Sequence, residues 1–183
     1  AIPYGAPSQR VEHIASSGRR SRAENGFLLA CYDVQLDQEG CLLAARLIPE
    51  DAPAQGQKWY AYVETALPSP RYNNQTYANT LDKKTMQRFI EVTYERYLHL
   101  IGDDFGGVFP AIFTDEPQYF RLAPPYSKQL PDAFEREYGY SVCDALPALF
   151  VDFDGAEQPR HDYYRLVHRM FINNFIKPVH EWC

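Results

Sequence analysis

Two strand-like runs, FLLACYDVQL (27–36) and CLLAARLI (41–48), flank the turn Asp37-Gln38-Glu39-Gly40 and predict a β-hairpin. Tyr32, Val34 and Leu36 alternate with Asp33, Gln35 and Asp37, so one face of the hairpin is expected to be buried and the other wet. KWYAYVETAL (58–67) predicts a third strand, closed by Pro68 and Pro70. The next stretch, SPRYNNQTYANT, is polar and aromatic and reads as a loop. Asp82 then sits where a helix cap belongs, with Leu81 and Met86 spaced as a hydrophobic staple. Met86, Phe89, Ile90, Thr93, Tyr97 and Ile101 recur at helical spacing and carry that helix to Gly102. VFPAIF (108–113) predicts a buried strand that runs straight into Asp115 and Glu116 before Pro117 stops it. Beyond it, Pro131 to Gly139 predicts a short helix and DALPALF another apolar piece. A long helix is expected from near Pro159, with Tyr163, Val167, Met170, Phe171, Phe175, Val179 and Trp182 as its buried stripe. Pro178 must kink it or end it early. Residues 1–26 are polar, with Arg10, Arg19, Arg20 and Arg22 as a solvated face and room for one strand.

Strand, helix, strand in this order predicts a parallel β-α-β unit with a right-handed crossover. VFPAIF has the continuous apolar character of a strand buried on both faces, although Pro110 removes one ladder donor. Ligands of such folds gather at the carboxyl ends of the strands, which would bring Asp115 and Glu116 onto the rim of a site. A carboxylate partly desolvated there, beside a second one, is expected to hold its proton more tightly, as a general acid must. Tyr119 and Phe120 would add flat surfaces, and an acid beside an aromatic platform suits glycoside cleavage. Such chemistry wants a second carboxylate, and Glu64 at the end of the preceding strand is the best internal candidate. The plainer account is a turn cap for Asp115 and an ion pair for Glu116.

Composition narrows the classes. At 183 residues and 45% apolar, the chain is long and hydrophobic enough for a domain with a core. A net charge of -6 argues against a nucleic-acid partner. Fourteen Tyr, eleven Phe and two Trp serve either core packing or the stacking of sugars. No run approaches the ~20 apolar residues of a membrane helix. Cys31, Cys41, Cys143 and Cys183 lack metal-ligand spacing, and the hairpin register would put Cys31 opposite Arg46 rather than Cys41. Reduced thiols in a reducing compartment, with the cytoplasm favoured, are the expectation. The five His residues show no ligand spacing, so no transition metal and no cofactor are expected; a calcium held by carboxylates and carbonyls stays open. No phosphate-cradling glycine loop precedes a helix, and no Gly-x-Ser-x-Gly elbow occurs. Asn74-Gln75-Thr76 is a glycosylation sequon on paper.

The pieces WYAYVE, YNNQTYANTLD, RFIEVTYERYLHLIGDDFG, PAIFTDEPQY, LPDAFEREYGY and DYYRLVHRMFINNFIKPVHEWC occur in this order. Together, over residues 58–183, they resemble the bacterial α-L-rhamnosidase-like glycoside hydrolases of family 106. The most specific piece is Phe113-Thr114-Asp115-Glu116-Pro117. The resemblance implies a (β/α)8 catalytic barrel and a carbohydrate substrate. It makes Glu116 a candidate acid or base with Asp115 beside it, and Asn73 and Tyr77 sugar contacts. The family motif carries Asp where this chain has Asn79. A full barrel needs about 250 residues. The expected fold is therefore α/β: a partial TIM-type barrel segment over 58–183, preceded by a polar lead-in and hairpin over 1–57. Such a piece of a longer protein would leave edges and apolar faces uncovered, favouring self-association, and would be inactive alone.

Overall fold

The computed structural model describes residues 7–15, 26–115, 117 and 123–183. Its frame is a five-stranded antiparallel sheet of β1 (Gln9–Ala15), β2 (Gly26–Leu36), β3 (Leu42–Leu47), β4 (Gln57–Thr65) and β5 (Pro125–Tyr126), in the order β3-β2-β4-β1-β5. The hairpin and third strand form where the sequence predicts them. The parallel β-α-β unit does not, and the expectation of a (β/α)8 barrel segment is overturned. Every strand pairing among the described residues is antiparallel, apart from an isolated bridge between Phe105 and Phe109.

The cause lies in VFPAIF. Residues 110–115 take neither helix nor strand structure, and Val108, Phe109, Ile112 and Phe113 are exposed. The strand that pairs with the far side of β4 comes instead from the polar lead-in: β1 lies between β4 and β5, with Val11 fully buried opposite Val63. β4, on which the sequence-level domains 1–57 and 58–183 meet, pairs with strands from the first of them and shares their core.

Alternation drives one face of the sheet inward. Tyr32, Val34, Trp59, Ala61 and Val63 are buried on it. A bulge between Leu28 and Ala30 shifts the register, so that Phe27 pairs with Val63 while Ala30 pairs with Ala61. Helices cover this face. Leu130 and Phe134 come from α3 (Leu130–Tyr138), Val142 and Ala145 from α4 (Val142–Ala145), and Tyr163, Leu166 and Val167 from α5 (Glu157–Phe171). Tyr163 is fully buried and donates its hydroxyl to the Pro125 carbonyl at 2.5 Å, joining α5 to the sheet's shortest strand. Burial pushes that phenol well above its ordinary pKa, so it stays a donor.

Asp82 caps α1 (Lys83–Val92), accepting from the Thr85 N–H at 2.7 Å. The single helix expected to reach Gly102 is broken at Thr93, whose hydroxyl donates back to the Phe89 carbonyl at 2.5 Å, and α2 (Tyr94–Ile101) follows. Pro178 does not end the last helix. A π turn at Ile172–Ile176, with the Lys177 N–H bonded to the Ile172 carbonyl, carries α5 into α6 (Lys177–Trp182).

Asp33, expected on the wet face, is only 4% exposed. Its Oδ1 accepts from the Gly56 N–H at 2.8 Å, and Arg46 lies 3.4 Å from its Oδ2. The hydrogen bonds from the Gly56 and Gln55 backbone, with Arg46 adding to them, hold this carboxyl below the usual carboxylate pKa. The strap it fixes passes so close to β2 that a Cβ at Gly56 would sit 2.1 Å from the Val34 carbonyl oxygen. Gly56→Ala is therefore expected to cost about 3 kcal/mol or more, read as a lower denaturant midpoint. Because the Asp33 pKa is depressed on folding, its stabilisation is present above the ordinary carboxylate value and is lost as pH falls through the lower folded value. Asp33→Asn should flatten that part of the acid limb in a denaturant series across acidic pH.

Candidate functional site

The residues singled out from sequence fall on three separate pieces. Glu64 closes β4, half-buried, with Arg10 of β1 across the ladder and the guanidinium Nη2 3.3 Å from its Oε2. The candidate second carboxylate is thus ion-paired to a residue the sequence assigned to a solvated face. Nothing in the spacing of Arg10 could have shown this, since the pairing of β1 with β4 crosses more than fifty residues.

The second piece is the loop after β4. A single 3-10 turn (Pro70–Tyr72) is capped by Ser69, and Asn73 and Asn74 follow with φ of 53° and 56°. Asparagine is among the few residues with a side chain that adopt left-handed backbone readily. Both amides are exposed. Tyr72 and Tyr77 lie against each other with centroids 5.2 Å apart, and the Arg71 guanidinium lies 6.0 Å from the Tyr72 ring. Of the two expected sugar contacts, Tyr77 lies against Tyr72, and Asn73 follows Tyr72 in the chain with its amide exposed.

The third piece carries the acidic doublet. Asp115 is exposed rather than held on the rim of an apolar strand. Its neighbour Thr114 is anchored, with 2.9 Å between its hydroxyl and that of Tyr94 at the start of α2. Glu116 and Tyr119 lie outside the described residues. No hydrogen bond or ion pair among the described residues joins Asp115 to Glu64, Asn73 or Tyr77. The expected convergence of two carboxylates on one cleft is not seen among the described residues. An open groove of about 600 Å³ does exist, between the β2–β3 turn and the 55–57 strap, but none of the predicted site residues lines it.

Asn79 is the residue whose role the sequence hid. It is 4% exposed, its Nδ2 donates to the Tyr126 carbonyl at 3.0 Å, and its Oδ1 accepts from the Leu81 N–H at 3.1 Å. One acceptor and one donor fix which way the amide points. The side chain ties the loop after β4 to β5, a structural task that an aspartate could not perform without keeping its proton. The two asparagines of the turn, by contrast, were legible from the sequence as loop residues.

Among the described residues no three His, Cys, Asp or Glu side chains are placed to hold a metal ion, and no helix is long and apolar enough to cross a membrane. Comparison with family models, with curated proteins and with solved structures finds no match.

Asn79→Asp is expected to destabilise the fold by roughly 2 kcal/mol at neutral pH, because it turns a buried donor into an acceptor facing a carbonyl. Relative to wild type the deficit should shrink in acid, where the new carboxyl takes up a proton and donates again; denaturation at the two pH values measures it.

Proposed function

We propose that this chain is the carboxylate-bearing segment of a glycoside hydrolase, α-L-rhamnosidase-like in sequence, which uses general acid/base catalysis without a cofactor. What supports the reading is the Phe-Thr-Asp-Glu-Pro stretch that bears the family likeness, whose Asp115 is open to a ligand beside a threonine tethered to Tyr94. In this reading Glu116 is the acid or base and Asp115 its neighbour. The Tyr72–Tyr77 surface with Asn73 contacts the sugar, and Tyr119 adds a second flat surface. Free thiols at buried Cys31 and partly buried Cys143 suit a reducing compartment such as the cytoplasm.

Catalysis of this kind needs two carboxyl groups at a set separation. Glu64 is engaged with Arg10, and Asp115 has no carboxylate partner among the described residues. In this reading the described residues supply no second carboxylate beside Asp115, so the 183-residue chain by itself is expected to be inactive. A second reading, carbohydrate binding without chemistry, is favoured by the Tyr72–Tyr77 pair with its exposed amides, which requires no carboxylate.

Glu116→Gln in the complete protein is expected to lower kcat by about 10²-fold or more while sugar binding persists. An unchanged kcat would remove Glu116 from the chemistry. The isolated chain should release no aryl group from aryl glycosides above the buffer rate; measurable turnover would show the segment to be self-sufficient. Absence of turnover by the complete protein, with binding intact, would establish the second reading.

A further inference from the structure

The turn that joins β2 to β3 and the strap at 55–57 leave an open groove of about 600 Å³ between them. That volume lies within the ~300–1,000 Å³ typical of small-molecule sites. Two polar groups of its lining are already held in place. The Asp37 carboxylate accepts from the Glu39 and Cys41 N–H groups through Oδ1, at 2.9 and 2.8 Å, which leaves Oδ2 as the acceptor for a ligand. The Gln57 Oε1 accepts from the Trp59 indole N–H at 3.1 Å, so its Nε2 is the donor left over. Exposed Gln35, Gln38 and Gln55 add three further amides to the lining. Leu43, 66% exposed, supplies part of its apolar surface.

We propose that this groove binds a neutral saccharide, at a site separate from Asp115 and from the Tyr72–Tyr77 loop. The charge of the lining decides the class of ligand. Among the described residues no Lys, Arg or His lines it, so a phosphate or carboxylate would meet one aspartate and no cation. A single carboxylate is likewise too little for a divalent cation, which takes six or more oxygens. A sugar matches what is present. Each hydroxyl both donates and accepts, so it can use amide donors, amide acceptors and the Asp37 oxygen together, while the C–H face of the ring covers leucine. Because Asp37 and Gln57 are held before any ligand arrives, binding costs little side-chain entropy at those two positions. Such a groove holds a sugar whether or not Glu116 performs chemistry.

The test is an NMR titration of the full isotope-labelled chain with maltotriose, cellotriose, mannotriose and xylotriose. At least one of them is expected to give saturable shifts with a Kd on the order of 1 mM, mapping to the side-chain amides of Gln38, Gln55 and Gln57 and to the backbone of residues 35–40 and 55–57. Trigalacturonate, whose carboxylates would face Asp37, should give none at the same concentrations. Gln55→Ala should weaken binding about fivefold with unchanged circular dichroism. Asp37→Asn keeps an oxygen for the turn and replaces Oδ2 with a donor, and should weaken it by a similar factor. The absence of saturable shifts from all of the neutral sugars, shifts confined to the Tyr72–Tyr77 loop, an equal response to trigalacturonate, or an affinity that neither substitution changes would each overturn the proposal.

Discussion

Two buried phenols fasten the helical layer to the sheet, Tyr32 of β2 on the Cys143 carbonyl of α4 and Tyr163 of α5 on β5. The Tyr163 ring is fully buried, and its hydroxyl meets the carbonyl of Pro125 in a strand only two residues long. That strand could not stay paired with β1 on its own ladder. It is also held by the Asn79 amide on Tyr126, by the Val11 N–H on Pro124 and by the edge of Phe27 on the Tyr126 ring. Four unrelated parts of the chain thus meet at residues 124–126. Each closes a buried polar group or an apolar face that would otherwise stand open, a loss worth more than the net gain of an ordinary hydrogen bond.

Much of this was written locally and could be read. The hairpin follows from alternation and an Asp-Gln-Glu-Gly turn, and the α1 cap from Asp82 and its staple. The breaks came where a distant partner decides the outcome. Val11 is an apolar residue in a polar segment, which leaves room for one strand but does not place it until β4 lies beside it. Asp33 obeys the alternation that sends it to solvent, yet a strap twenty residues later folds over it. VFPAIF fails in the opposite sense: its side chains call for burial, but no described strand of the chain comes to pair with it.

The candidate site shows the same division. Asn73 and Tyr77 belong to one short loop, and that much was readable from the chain alone. Glu64 and Asp115 belong to different layers, and an ion pair with Arg10 engages the first while solvent surrounds the second. A carboxylate motif recognised in sequence is a statement about which atoms are supplied. The environment that makes an acid of one of them is a property of whatever surrounds it, and the described surroundings of Asp115 supply little of it.

The π turn at 172–176 adds one residue to a helical circuit and so resets the phase of all that follows. Each helical residue turns the axis by about 100°, so without the widened turn α6 would present a different side to α2. As built, Trp182 reaches Tyr94 and donates its indole N–H to Glu95 at 2.7 Å, while Asn174 gains the slack to bind the Leu81 carbonyl at 2.7 Å. A proline that ought to have interrupted the helix is thereby absorbed by a change of pitch, and the chain's last turn acts as a key cut to fit the lock of its second helix.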